Sequence, residues 1–118
     1  MPKIFEGRTE DAEAPFLSGG WWKEGVEVRG LIEHQYPTEF GLCHVLELEA
    51  PVDIPELELE TVSKVSMGNL AGFTMALQAA GARPRIGDSM EIECTGFKPA
   101  KGDGYSPRPN FRIKIARP

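Results

Sequence analysis

Residues 65–81, VSMGNLAGFTMALQAAG, change their hydrophobic period partway through, and that change decides the fold. Leu57 to Ser66 alternate apolar and polar residues, the period of two that marks a half-buried strand. Met67-Gly68-Asn69 breaks the alternation, and the Asn69 side chain suits the cap of a helix because it can accept from the first free helical N–H groups. Leu70, Phe73, Leu77 and Ala80 then recur every three or four residues as one apolar stripe, and Gly81 supplies the left-handed residue on which helices often end. A helix of about three turns is marginal alone, so its stripe must cover something. The expected partner is the open end of a small β-barrel.

Outward from this helix the chain reads as strands. Toward the N-terminus, Val26, Val28 and Ile32 alternate with Glu27, Arg29, Leu31 and Glu33, with Gly30 placed for a bulge or sharp bend. Gln35 to Gly41 carries Pro37 and reads as a hairpin loop. A second strand follows, with Leu42, His44, Leu46 and Leu48 on one face and Cys43, Val45, Glu47 and Glu49 on the other, until Pro51 and Pro55 interrupt. After the helix, Pro84 and Gly87-Asp88 form a turn. Met90, Ile92 and Cys94 then mark a fourth strand, and Phe111, Ile113 and Ile115 a fifth beyond the Gly- and Pro-rich loop 98–110. The order is β-β-β-α-β-β. An all-β chain with one helix between strands 3 and 4 fits a five-stranded OB-fold Greek-key barrel, whose 1–2 and 4–5 loops commonly bind oligonucleotides or oligosaccharides.

A length of 118 residues suits one such domain, here residues 21–118 behind a flexible N-terminal arm over residues 1–20 that can dock Phe16 and Leu17. Apolar content of 41% and charged content of 26% are those of a globular domain, with no run long enough to cross a bilayer. The first residues lack the apolar stretch of a secretory signal, so the expected location is cytoplasmic. Cys43 and Cys94 read as buried thiols, a bridge between them being the alternative. Of adjacent Trp21 and Trp22 in extended chain, one should pack inward and the other face out.

The segments around Gly41-Leu42-Cys43-His44-Val45-Leu46-Glu47-Leu48, Val65-Ser66-Met67-Gly68 and Ile86-Gly87-Asp88-Ser89-Met90-Glu91-Ile92-Glu93-Cys94-Thr95-Gly96 resemble the small single-domain OB proteins of phages and prophages. The likeness spans residues 21–117 and rests on structural motifs, the Gly-Asp turn and the strand-ending glycine. Several proteins of that type are regarded as single-stranded-DNA-binding proteins, which is the activity that the resemblance implies.

The net charge of −5 is unevenly spread, acidic from Glu24 to Glu60 and basic from Arg83 onward. Single-strand binding needs cations along the phosphates and aromatic faces for the bases. The expected contacts are Lys98, Lys101, Tyr105 and Arg108 in the 4–5 loop, Tyr36 and Phe40 in the 1–2 loop, and Arg29, Arg112 and Lys114 on the polar strand faces. The plainer account of Arg112 and Lys114 is an edge strand protected from pairing by its charges. His34 and His44 lack the converging ligands of a metal site, and no GxSxG, P-loop, HExxH or Cys-His-Asn pattern occurs. The expectation is therefore a non-catalytic binder of single-stranded DNA that is largely indifferent to base sequence and uses no cofactor or metal. The alternative is an OB-type interaction or assembly module that forms a homo-oligomer, with oligosaccharide binding as a third reading.

Overall fold

A computed structural model describes residues 14–39, 41–68, 70–81, 83–100, 102, 104 and 107–118. Five strands, β1 (Glu27–Thr38), β2 (Gly41–Ile54), β3 (Leu59–Met67), β4 (Ser89–Lys98) and β5 (Arg108–Ala116), form one antiparallel sheet in the order β3-β2-β1-β4-β5. Among the described residues one α-helix, α1 (Ala71–Ala80), lies between β3 and β4 as its stripe requires. The sheet is open: β3 and β5 are its two edges, and no ladder joins them among the described residues.

The core follows the alternation. Val28 and Ile32 of β1, Leu46 and Leu48 of β2, Val65 and Met67 of β3, and Met90, Ile92 and Cys94 of β4 form one buried cluster with Leu17, Trp22 and Phe73. Ile113 and Phe111 of β5 pack against it half-buried. Phe73 carries α1 into this cluster, and burial of such a ring is worth roughly 1.5–3 kcal/mol, enough to hold a helix that propensity alone would not. Leu70 and Leu77 flank it, Ala80 is exposed, and Gly72 seats the helix on Pro109 of β5. Leu70 occupies the N-cap without a side-chain cap, and Asn69 lies outside the described residues. Gly81 closes the helix at φ 70°, its N–H donating to the Gln78 carbonyl at 3.1 Å.

Several sequence expectations are corrected. The segment 35–41 is not a loop, because β1 runs to Thr38 and leaves only residues 39 and 40 between the strands. Pro37 is tolerated because β4 pairs with β1 only from Glu27 to Leu31, and β2 is the sole neighbour beyond. Pro51 likewise sits inside β2, and the third strand is Leu59–Met67 rather than Leu57–Ser66, Leu57 closing a 3-10 turn. Gly30 is not the bulge. It lets β2 come close, since a Cβ there would stand 2.7 Å from the Glu47 carbonyl oxygen. The bulge lies at Glu33, where Ile32 faces Leu46 and His34 already faces Val45. That extra residue shifts the alternation and puts Gln35 on the core side of the sheet, opposite His44.

Both cysteines are free and buried. Trp22 is the inner indole, edge-on to Phe111 at 4.9 Å, while Trp21 stacks edge-on against it at 5.0 Å and donates its Nε1–H to the Asp53 carbonyl at 2.7 Å. The arm expected over residues 1–20 lies outside the described residues as far as Glu13. From Ala14 to Leu17 the chain is bonded to the free edge of β3, through Leu17 N–H to the Ser66 carbonyl at 3.3 Å and Ser66 N–H to the Pro15 carbonyl at 2.8 Å. Leu17 is buried and Phe16 is exposed.

Candidate functional site

The residues expected to bind a ligand fall into separate groups. Arg29, Arg112 and Lys114 do share the outer face of β1, β4 and β5, but carboxylates stand between them. Register places Glu27, Glu93 and Arg112 in one row and Arg29, Glu91 and Lys114 in the next. Arg29 pairs with Glu27 and, at 2.7 Å, with Glu91, while Arg112 pairs with Glu93 at 2.9 Å. The Arg29 guanidinium holds the Glu27 carboxyl below its ordinary range. On this face Arg29 and Arg112 are held by carboxylates, whereas Lys114 has no ion pair among the described residues.

Lys98 and Arg108 face each other where β4 and β5 meet the 4–5 loop, and Arg108 Nε is buried without a hydrogen-bond partner among the described residues. Tyr36 is half-buried opposite Cys43 at the other end of β1, where burial pushes the Cys43 thiol up and bonds from Thr38 and Tyr36 draw it partly back. Lys101, Tyr105 and Phe40 lie outside the described residues. Because β1 and β4 run antiparallel, the 1–2 and 4–5 connections leave their shared ladder at opposite ends, so Tyr36 and Lys98 do not converge.

A different site forms where the far end of the β1–β2 hairpin meets α1. A cleft of about 490 Å³ opens between Leu42 and His44 of β2, Phe73, Thr74, Leu77 and Gln78 of α1, and Arg83-Pro84 beyond the helix. Its walls are mostly apolar, and no carboxylate of the described residues lines it. His44 is only 2% exposed, and burial pulls its imidazole down to about 4, so the ring is neutral at pH 7. The Gln35 amide nitrogen stands 2.8 Å from the Pro84 carbonyl and 3.0 Å from His44 Nδ1. An amide NH₂ only donates, so Nδ1 accepts and the ring proton resides on Nε2, which has no hydrogen-bond partner among the described residues.

Arg83 lines this cleft, with Arg85 two residues further on and Arg117 bonded to the Arg83 carbonyl. Arg117 of the C-terminal end donates Nη2–H to the Arg83 carbonyl and Nε–H to Asp88 Oδ2 at 3.2 Å. The same carboxylate oxygen accepts the Arg85 backbone N–H at 2.9 Å, and the turn is clamped to β1 through Ile32 N–H to the Asp88 carbonyl at 2.9 Å. Asp88 is buried and committed to these bonds. Arg83 and Arg85 are exposed, with no carboxylate partner among the described residues.

None of Arg83, Arg85 and Arg117 was singled out as a contact from sequence. The available signal was the Arg83-Pro84-Arg85 triplet directly after the helix-ending Gly81, two cations with no acidic residue nearer than Asp88. Among the described residues no cluster of His, Cys, Asp and Glu could hold a metal ion, and no helix is long and apolar enough to cross a membrane. No protein-family model matches this chain, and no curated protein or solved structure does either.

Proposed function

We propose that the chain is a non-catalytic binder of single-stranded DNA, largely indifferent to base sequence, built on an OB-type barrel. The topology is consistent with that fold: β1 is central and pairs with both β2 and β4, a helix intervenes between β3 and β4, and OB barrels are themselves partly open. The observation that carries the function is the junction of Arg83, with Arg85 close by in the chain, and a mostly apolar cleft that no carboxylate of the described residues lines. Phosphates and bases require that pair of features side by side. The proposed footprint thus lies at the α1–β2 end rather than on the ion-paired face of Arg29 and Arg112.

Fluorescence anisotropy of a labelled dT oligonucleotide of about 20 nucleotides tests the reading. Binding at about 50 mM salt that weakens at about 200 mM through counterion release is the expected result, and no binding at ~50 μM protein would overturn it.

A second reading, a homo-oligomeric assembly module, is favoured by the exposure of Leu31, Met75 and Ile86. Light scattering after size exclusion decides it: a stable oligomer that dissociates on Ile86→Lys supports assembly, and a monomer at every concentration excludes it.

A further inference from the structure

We infer that the cleft between α1 and β2 receives one unstacked nucleobase of the bound strand, its ring-edge acceptor taking a hydrogen bond from His44 Nε2–H while the adjoining phosphates lie on Arg83 and Arg85. This rests on the single-stranded-DNA reading above. The volume of about 490 Å³ falls in the range of about 300–1,000 Å³ in which small-ligand sites are found. Leu42, Phe73, Leu77 and Pro84 offer apolar surface to a flat ring.

The second, independent observation is polar. His44 is 2% exposed, lines the cleft, and has one ring nitrogen bonded to Gln35 and the other without a partner among the described residues. That nitrogen is not among the sealed, unpartnered atoms of the described residues, so its hydrogen is open to a base carbonyl or ring nitrogen in the cleft. Gln35 sets the tautomer by spending one amide hydrogen on Nδ1 and the other on Pro84, so the cleft presents a donor and selects an acceptor edge. The charge agrees: in a chain of net charge −5 this cleft has one arginine on its lining, a second two residues on, and no carboxylate among the described residues, which suits an anionic strand.

The test compares the intact protein with Thr74→Trp, an exposed helix position on the cleft wall where an indole fills the space without disturbing the core. Anisotropy is read with a dT oligonucleotide and with an abasic oligonucleotide of equal length, and the His44 ring nitrogens are followed by long-range ¹H–¹⁵N NMR. The expected result is affinity lower by about 10-fold or more both for Thr74→Trp on dT and for the intact protein on the abasic strand, with a shift of His44 Nε2 on adding dT. If the intact protein binds the two strands equally, Thr74→Trp binds dT as well as the intact protein does, and Nε2 does not move, the base site is overturned while DNA binding stands. If the intact protein binds neither strand, both proposals fall.

Discussion

Gln35 and His44 stand opposite each other in the β1–β2 ladder, the amide nitrogen 3.0 Å from imidazole Nδ1 and 2.8 Å from the Pro84 carbonyl. One side chain therefore ties β1, β2 and the segment after α1 together. Replacing it by an apolar residue of similar size strands a buried imidazole nitrogen and a carbonyl oxygen at once. Gln35→Leu should cost about 1–3 kcal/mol in urea denaturation, with an unchanged m-value. A loss under about 0.5 kcal/mol would show that water replaces the amide without penalty.

The same burial makes stability depend on pH. The His44 imidazole is held down at about 4 against an ordinary 6.5, so between those values the unfolded chain takes up a proton that the folded chain refuses. Stability is thus fully present above about 6.5 and is lost as pH falls toward 4. Glu27, lowered by its bond from Arg29, adds a loss only below its ordinary 4.5. Urea midpoints at pH 7, 6 and 5 should decline steadily, and His44→Gln should flatten that decline. A slope that survives in His44→Gln assigns the proton uptake to another group.

How much of this was legible beforehand divides along range in the chain. The helix was readable because Leu70, Phe73 and Leu77 repeat locally, and so was the core role of Met90, Ile92 and Cys94. The bulge was misplaced at Gly30 because composition marks a glycine and cannot distinguish a bulge from close strand approach. Its true place at Glu33 leaves no local signature, yet it decides that Gln35 meets His44. The charged face misled for a related reason: Arg29 and Arg112 read as free cations along the chain, and only strand register shows Glu91 and Glu93 between them. Arg117 and Arg83 are far apart in sequence and come together only when β5 ends beside the turn that precedes β4.

Two glycines mark backbone approaches that no side chain can share. At Gly30 an added Cβ would meet the Glu47 carbonyl oxygen at 2.7 Å, and at Gly72 it would run into the Pro109 carbonyl oxygen, which stands on β5. Neither neighbour is a flexible side chain, so β2 or α1 must move. Gly30→Ala and Gly72→Ala should each destabilise by about 1–3 kcal/mol by chemical denaturation, despite the better helix propensity of alanine at position 72. Gly102 has open space around its Cβ position, so Gly102→Ala serves as the control and should be neutral within about 0.5 kcal/mol.

The arginines separate the two surfaces most sharply. Arg29 and Arg112 already hold Glu27, Glu91 and Glu93, so a phosphate that approached them would have to displace a carboxylate, and their removal exchanges one compensated charge for another. Among the described residues Arg83 and Arg85 have no such partner, so a phosphate there releases counterions from the strand without displacing one of those carboxylates. Arg83→Ala and Arg85→Ala should each reduce the salt dependence of oligonucleotide binding by about 0.7 in the slope of log K against log salt, the contribution of one phosphate on a single strand. Arg29→Ala and Arg112→Ala should leave that slope unchanged. The reverse pattern, a slope lost with Arg29 or Arg112 and kept without Arg83 and Arg85, would move the interface back to the outer face of β1, β4 and β5 and remove the cleft from the footprint.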